Sequence, residues 1–443
     1  MSCCSIDYKV MFTACQRWYE SFRCAIMKPD MEAVKMITLH EIQAARDVLS
    51  NVIRRTDLIE ATGLSPNFEA YIKAENLQRT GSFKIRGAYY KISKLPEAEK
   101  QRGVVACSAG NHAQGVALGA SEHGIRSVIC LPDGAPISKI EATKHYGGEV
   151  ELVAGVYDDA YARALELAEQ KGYVFVHPFD DPDVIAGQGT IGLEILEQIS
   201  DADAIIVPIG GGGLISGIAS AVKALRPACC IYGVQAVGAP SMIEAIQCNA
   251  RKTLPAVSTI ADGIAVKTPG KLTFEICKNL VDGFVTVSDD EISAAALTLL
   301  ERQKVVAEGA GAASVAAALY GGLPLEGKKV VCVVSGGNID VTILSRVISR
   351  GLAAQGRLSE ITVELDDRPG QLECVAGIVA QQGANVVSVY HDRSDPETRL
   401  NAVYLRMVLE TRNAQHCLQI EQALAAAGFK LHGRKNYTIM KEA

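Results

Sequence analysis

From about Thr38 onward, short apolar runs alternate with longer helical stretches, and no other feature limits the folds open to this chain so strongly. Val104–Cys107, Ser127–Leu131, Glu151–Val153, Val174–His177, Ala204–Val207, Ile231–Gln235 and Lys329–Val334 read as strands. Helices are expected around Ala113–His123, over Lys139–Tyr146 and over Ala160–Lys171. Thr38, with Glu41 three residues later, has the pattern of a capping box that opens the first helix. A succession of strand, helix and strand requires a parallel sheet with right-handed crossovers. Such a sheet binds its ligands beyond the carboxyl ends of its strands.

The pattern breaks near Arg350–Ser359, and 443 residues are too many for one ordinary domain. A strand Glu360–Leu365 follows, then the turn Asp366–Gly370 and an amphipathic helix with Leu372, Val375, Ala376 and Val379 on one face. Strands Val386–His391 and Leu400–Glu410, a helix Ala414–Ala427 and a last strand after Phe429 complete a βαββαβ, ferredoxin-like unit. The chain therefore divides into an extension 1–35, an α/β unit 36–350 and a C-terminal unit 358–443. The extension holds Cys3, Cys4, Cys15, Cys24 and the lone Trp18, and lacks the hydrophobic core and cleavage site of a signal peptide. It reads as a poorly ordered segment, with Met27, Met31 and Met36 as alternative starts.

A net charge of −6 argues against nucleic acid as a partner. No apolar run is long enough to cross a bilayer, so no membrane partner is expected. The thirteen cysteines form no CxxC pair and no Cys/His cluster of zinc spacing. Cys107, Cys130, Cys229, Cys230 and Cys332 lie in or beside apolar runs and read as buried thiols, which fits a reducing cytoplasm.

Four short segments carry the chemistry. In Thr80–Ala88, Lys84 stands at a turn-to-helix junction among small and apolar neighbours, where desolvation makes an amine nucleophilic. Most lysines are solvated surface residues, so this context by itself shifts the odds only modestly. Ser108–His112 follows a strand and can turn backbone N–H groups toward a carboxylate; an ordinary capped turn explains it as well. Gly210–Gly213 follows the strand ending at Val207-Pro208 and opens a helix, an arrangement suited to a phosphate. A dinucleotide loop does not fit, because Ile215 and Ser216 occupy the place of a third glycine and no acidic residue ends Ile231–Gln235. Ser335–Asn338 closes the last apolar strand with a hydroxyl at the same end of the sheet.

Together these segments supply an amine, a single-phosphate cradle, a carboxylate loop and a hydroxyl. Thr80–Ala88, Ser108–Gly115, Pro178–Gly192, Gly210–Leu214 and Ser335–Asn338 resemble the threonine/serine dehydratase family of fold-type II pyridoxal-phosphate enzymes over roughly Ile37–Ser349. The C-terminal unit resembles an ACT domain. The resemblance implies two α/β subdomains with parallel sheets. It implies that Lys84 carries pyridoxal 5'-phosphate with Phe83 beside it. Gly210, Gly211, Gly212, Gly213 and Leu214 would hold the phosphate, Asn111 the ring hydroxyl, and Ser335 the pyridine nitrogen. Ser108, Asn111 and His112 would take the substrate carboxylate, and Glu308 would lie near the ring. The implied reaction is dehydration and deamination of L-threonine, and of L-serine, to a 2-oxo acid and ammonia, with a place in amino-acid metabolism such as isoleucine biosynthesis. Racemases of this family carry serine where Ala109 stands, and use carboxylates for a metal near Gln235 and Ser241; racemisation is therefore the weaker reading, beside hydroxyaspartate dehydration, β-replacement or another β-elimination of the same fold type, and no metal site is expected. A non-catalytic amino-acid sensor is the reading from another class, against which intact Lys84 and the intact glycine run argue. The ACT-like unit implies a homo-oligomer, dimer or tetramer, and an amino-acid effector held between two subunits. The turn Asp366–Gly370 and the segment Gly383–Asn385 are expected on one side of that unit, as its ligand groups.

Overall fold

The structure is a computed structural model, and it describes residues 36–393, 399 and 401–434; the expected extension 1–35 lies outside these. In chain order the strands are β1 Leu58–Glu60, β2 Glu69–Ala74, β3 Val104–Cys107, β4 Ser127–Pro132, β5 Glu149–Val153, β6 Val174–Phe175 and β7 Ala204–Pro208. They continue as β8 Cys230–Ala236, β9 Gly283–Val287, β10 Lys329–Val334, β11 Leu358–Asp366, β12 Asn385–Asp392, β13 Ala402–Glu410 and β14 Lys430–Arg434. One six-stranded sheet has the order β1-β2-β10-β7-β8-β9 and is parallel except between β1 and β2. A second sheet, β5-β4-β3-β6, is parallel throughout. These are the two α/β subdomains that the resemblance implied, with the parallel strands that the strand–helix alternation required.

The apolar strands are central because helices cover them on both faces. Successive side chains alternate across the sheet. Ile205, Val207, Val331 and Val333 pack with Leu214, Ile215 and Ile218 of the helix Gly213–Leu225. Ala204, Ile206, Val330, Cys332 and Val334 pack with Ala312, Ala313, Val315 and Ala316 of the helix Gly309–Tyr320. Both helices thus begin at the carboxyl edge of the sheet.

Strand β2 is hidden from a hydropathy reading by Lys73, which is fully buried. Its Nζ donates to Glu194 at 2.6 Å and to the Thr56 carbonyl at 2.7 Å. Glu194 also accepts from Arg86 at 2.6 Å, and Arg86 reaches Glu75 at 2.7 Å. Two cations thus face two carboxylates, with no net charge left in the interior. The network joins the helix Lys84–Ser93 to the end of β2 and to the helix Pro182–Gln198, and so fixes the start of the helix that carries Lys84. Thr38 and Glu41 form the expected capping box. β6 ends two residues before the expected His177, because His177 folds back and its Nδ1 accepts from the N–H groups of Phe179 and Asp180.

The C-terminal unit is an antiparallel sheet of order β12-β13-β11-β14, consistent with an ACT-like βαββαβ fold. Val375 and Val379 of the helix Gln371–Gln381 enter its core with Ile378 beside them. Leu372, expected on that face, is exposed, so Ile378 rather than Leu372 extends the apolar stripe. A larger correction concerns the expected ligand groups. Asp366 pairs with Ala402, whereas Asn385 pairs with Glu410, which also faces Leu358. Asp366–Gly370 and Gly383–Asn385 therefore lie at opposite ends of the sheet, roughly 27 Å apart at about 3.4 Å per residue. The helix between them carries the chain from one end to the other. Among the described residues no helix is long and apolar enough to cross a membrane.

Candidate active site

Strands β3, β7 and β10 end on one cavity of ≈ 660 Å³ between the two parallel sheets. Phe83, Lys84, Ser108, Asn111, His112, Gly210, Gly211, Gly212, Gly213, Leu214 and Ser335, all singled out from sequence, line it. Among the helices that start at this cavity, those beginning at Asn111, Gly213 and Gly309 have no side-chain cap. Elsewhere Thr38, Asp181, Ser288, Asp340 and Asn413 cap the helices that follow them, while the helices starting at Glu97, Ile137, Ser241 and Gln371 lack such a cap. The first intrahelical bond of Gly213–Leu225 runs from Ser216 N–H to Gly212. The preceding N–H groups have no intrahelical acceptor, and an anion at that helix end satisfies them.

The glycine run is also a steric requirement. A Cβ at Gly211 would sit 2.3 Å from the Phe179 ring, and one at Gly212, where φ is +100°, 2.7 Å from the Thr273 side chain. The run thus admits Phe179 and the loop around it. Thr273 Oγ1 donates to the Gly211 carbonyl at 2.6 Å and holds the loop from the other side.

Lys84 is the first residue of its helix and lines the cavity. Its Nζ donates to the Pro178 carbonyl at 2.8 Å and lies 5.2 Å from the centre of the Phe83 ring. Burial lowers the ammonium to about 8, with the Glu308 carboxyl acting in the opposite sense. Burial, aided by Asp262, raises Glu308 to about 8. Glu308 stands at an N-cap position, yet its side chain makes no cap; Oε1 accepts from Asn111 Nδ2 at 2.7 Å. Asn338 Nδ2 donates to Asn111 Oδ1 at 2.7 Å and to the Thr80 carbonyl at 2.7 Å, so the Asn111 amide is held from both sides.

The carboxylate loop is arranged differently from a simple set of side-chain donors. Ser108 Oγ accepts from the N–H of Gly110 at 3.1 Å. The His112 imidazole is buried, and Nε2 bonds the Val176 carbonyl at 2.8 Å, which places the proton on Nε2. Burial and the nearby Lys84 charge hold it down at about 3, so the ring stays neutral. What His112 offers to the cavity is its backbone N–H in the first helical turn. Gln235 is spent on backbone bonds to Ile209, Met242 and Ile243.

Sequence reasoning missed several residues. Pro178 supplies a carbonyl and no side-chain signal. Asp180 caps the helix Lys271–Leu280 through the N–H groups of Lys271, Leu272 and Thr273, which ties the Phe179 loop to the Gly211 wall. Gln188 lines the cavity with a buried Oε1 that has no partner among the described residues. Both aspartate and glutamine lie within Pro178–Gly192, a segment recognisable as a motif but silent about roles. Ion pairs Lys139–Asp262 at 2.6 Å and Lys267–Asp158 at 3.3 Å join groups at the cavity's mouth.

An amine of lowered pKa, a phosphate-sized set of N–H donors and a neutral hydroxyl around one cavity fit a phosphorylated aldehyde. Only the neutral amine attacks such a carbonyl. The rate at which the cofactor-free protein takes up pyridoxal phosphate should therefore rise roughly tenfold from pH 6 to 7 and level off above about 8. Stopped-flow absorbance tests this; a flat profile over that range would place the reacting amine elsewhere.

The sequence matches the family "Pyridoxal-phosphate dependent enzyme" over residues 49–336. It is 51% identical to the L-threonine ammonia-lyase of Thermotoga maritima over 398 residues, 89% of this chain and 99% of that protein. The catabolic L-threonine dehydratase TdcB of Escherichia coli is 46% identical over 315 residues, 70% of this chain and 96% of that protein. The processed form of threonine deaminase isoform 2 from Solanum lycopersicum superposes with a TM-score of 0.67 at 37% identity, covering 73% of this chain and 98% of that one. Matched family, strand ends and lysine-bearing cavity agree: the chain belongs, with these threonine ammonia-lyases, to the pyridoxal-phosphate dependent enzymes.

Proposed function

We propose that this chain removes water and then ammonia from L-threonine, and from L-serine, releasing 2-oxobutanoate or pyruvate. One observation carries the reading: the desolvated amine of Lys84 shares a single cavity with the uncapped helix start at Gly213 and the uncapped start at Asn111. The names and identities of the relatives support it. Pyridoxal phosphate, when bound, supplies an electron sink that makes the substrate's α-proton removable. Its phosphate is assigned to the N–H groups of Gly210–Leu214, its ring to the space beside Phe83 and Asn111, and its nitrogen to Ser335.

The chain's own groups then divide the work. Lys84 Nζ, whose ammonium burial lowers to about 8, supplies a neutral amine at physiological pH far more readily than an exposed lysine; that amine takes the α-proton and can return one to the departing hydroxyl. The N–H groups of Asn111 and His112, with the Ser108 turn, orient the substrate carboxylate. Glu308, held in its protonated form by burial, adds no negative charge beside the ring at pH 7. A serine hydroxyl at the ring nitrogen stabilises negative charge less than a carboxylate partner would, which favours prompt loss of the β-hydroxyl over reprotonation. The test is release of 2-oxo acid from L-threonine, L-serine and D-serine. Turnover of the two L-hydroxy-amino acids supports the reading; interconversion of serine enantiomers without 2-oxo acid would replace it by racemisation.

Residues 36–350 are assigned to catalysis and 358–443 to regulation by a small amino acid, in a homo-oligomer of a reducing cytoplasm. The segment between the units is held on both sides. Thr411 Oγ1 donates to the Gly356 carbonyl at 2.7 Å, and Arg357 pairs with Glu301 at 2.7 Å. The dehydratase from E. coli matches 70% of this chain with 96% of its own length. Truncation after Gly356 is therefore expected to leave turnover within about threefold and to remove every effector response, read in steady-state assays with and without L-isoleucine or L-valine. A full effector response in the truncated protein would refute the assignment.

A further inference from the structure

Two side-chain amides stand in series along one wall of the catalytic cavity. Asn338 Nδ2 donates to the Thr80 carbonyl at 2.7 Å and to Asn111 Oδ1 at 2.7 Å, with Gln114 Oε1 farther off at 3.4 Å. Asn111 Nδ2 donates in turn to Glu308 Oε1 at 2.7 Å. Asn338 follows β10 of the six-stranded sheet, whereas Asn111 opens the helix after β3 of the four-stranded sheet. The row therefore crosses from one subdomain to the other.

Its direction is decided at one end only. A side-chain amide can present either its oxygen or its nitrogen to a neighbour. Glu308, kept protonated at neutral pH by burial, can accept or donate, so it accommodates both orientations of Asn111. A backbone carbonyl only accepts. Thr80 thus claims one hydrogen of Asn338 Nδ2, the other goes to Asn111 Oδ1, and Asn111 is left with Nδ2 toward Glu308. The second hydrogen of Asn111 Nδ2 has no acceptor among the described residues. Gly81 admits the amide that sets this order. Its φ is +69°, and a Cβ there would stand 2.9 Å from Asn338 Cγ. The Gly337 N–H donates to the Gly81 carbonyl at 2.9 Å and fixes the two turns against each other.

We infer that Asn338 is a positioning residue, which orients the Asn111 amide so that Nδ2 donates to the ring hydroxyl oxygen of bound pyridoxal phosphate and holds that oxygen ionised. The inference rests on the placement of the ring beside Asn111 in the proposed function. A donor at the oxygen favours its anion, whereas an amide oxygen there would favour the protonated form.

The experiment is the absorbance spectrum of the holoenzyme without substrate, for the parent, Asn338→Asp and Asn338→Ala, with urea midpoints to establish folding. An ionised aspartate has no hydrogen to donate; a protonated one has a single hydrogen, which the Thr80 carbonyl takes. Asn111 then turns Nδ2 toward position 338 and its oxygen toward Glu308 and the ring. The ratio of visible to near-ultraviolet absorbance of the bound cofactor reports the ionised against the protonated ring oxygen. It should fall at least about tenfold in Asn338→Asp, as for a lost hydrogen bond to a charged group. Asn338→Ala neither donates nor accepts, and should lower the ratio by a smaller factor. A folded Asn338→Asp with the parent's ratio would overturn the assignment. So would an equal fall in both variants, since Asn338 would then support the loop without orienting Asn111. If aspartate prevents folding, alanine decides, and the parent's ratio in folded Asn338→Ala overturns the assignment. The spectrum needs no turnover: a parent with this spectral response but no release of 2-oxo acid would overturn the proposed reaction and leave the role of Asn338 standing.

Discussion

Lys84→Ala is expected to lower 2-oxo acid release from threonine and serine by at least about 10²–10⁴-fold, the range a positioned proton-transfer group supplies, while the chain stays folded. The loss of the covalent anchor for the cofactor should add to this. The fold is spared because Lys84 Nζ bonds a carbonyl, that of Pro178, rather than a buried counter-ion. Linkage gives the direction of the stability change. Folding lowers the ammonium from its ordinary value of 10.5 to about 8. Between those values the unfolded chain binds more protons, so the cofactor-free parent gains stability as pH rises through that window; below about 8 it carries the full penalty. Alanine carries none. At pH 7 the cofactor-free variant should therefore unfold at an equal or higher urea concentration than the parent. Three readings decide the matter: turnover, retention of the cofactor's visible absorbance after dialysis, and the urea midpoint. Turnover within tenfold of the parent would assign the catalytic amine elsewhere. A collapsed midpoint would make Lys84 a structural residue.

Much of the catalytic fold was legible because its central strands are buried on both faces, so that their apolar runs stand out in the sequence. β3, β4, β7, β8 and β10 all lie within one residue of their expected bounds. β2 was not legible, since Lys73 interrupts it and is satisfied only by Glu194, 121 positions away in the chain. Nothing local announces such a partner. The site divides in the same way. Glycines after a strand, or a lysine at a helix start, are local signals, and these residues do line one cavity. Side-chain direction is not local. His112 lies in the right loop, yet its ring turns inward to the Val176 carbonyl, which only the neighbouring strand could reveal. In the C-terminal unit every element was anticipated, but the side of the unit on which each turn falls depends on counting reversals of the chain. The helix Gln371–Gln381 carries the chain back along the sheet, which separates Asp366 from Asn385.

Gly211→Asp is expected to leave the protein unable to retain pyridoxal phosphate. Two effects act together. The Cβ meets the Phe179 ring at 2.3 Å, closer than a side chain can tolerate, and the obstacle is a packed ring rather than a flexible tip. Phe179 must move, and its neighbours are not free to follow. Asp180 is fixed by three N–H groups of the helix Lys271–Leu280, and Pro178 accepts the Lys84 bond. Strain at Gly211 is thus carried to the amine on the other side of the cavity. The second effect is charge. A carboxylate beside the N–H groups of Gly213 and Leu214 satisfies those donors itself and repels the phosphate that would use them. Two unit charges about 4 Å apart, at an effective dielectric of 20, interact by about 4 kcal/mol. That is about a thousandfold in affinity. Gly211→Ala separates the two, since it brings the clash without the charge. Alanine should weaken cofactor affinity by a smaller factor than aspartate, and aspartate should lose the cofactor on dialysis against buffer. Equilibrium titration of the cofactor-free proteins, with far-ultraviolet circular dichroism to establish folding, gives both numbers. If folded Gly211→Asp keeps its cofactor through dialysis, the phosphate does not lie at this helix end. If alanine and aspartate weaken binding equally, the loss is due to Phe179, and the glycine run serves the loop more than the anion.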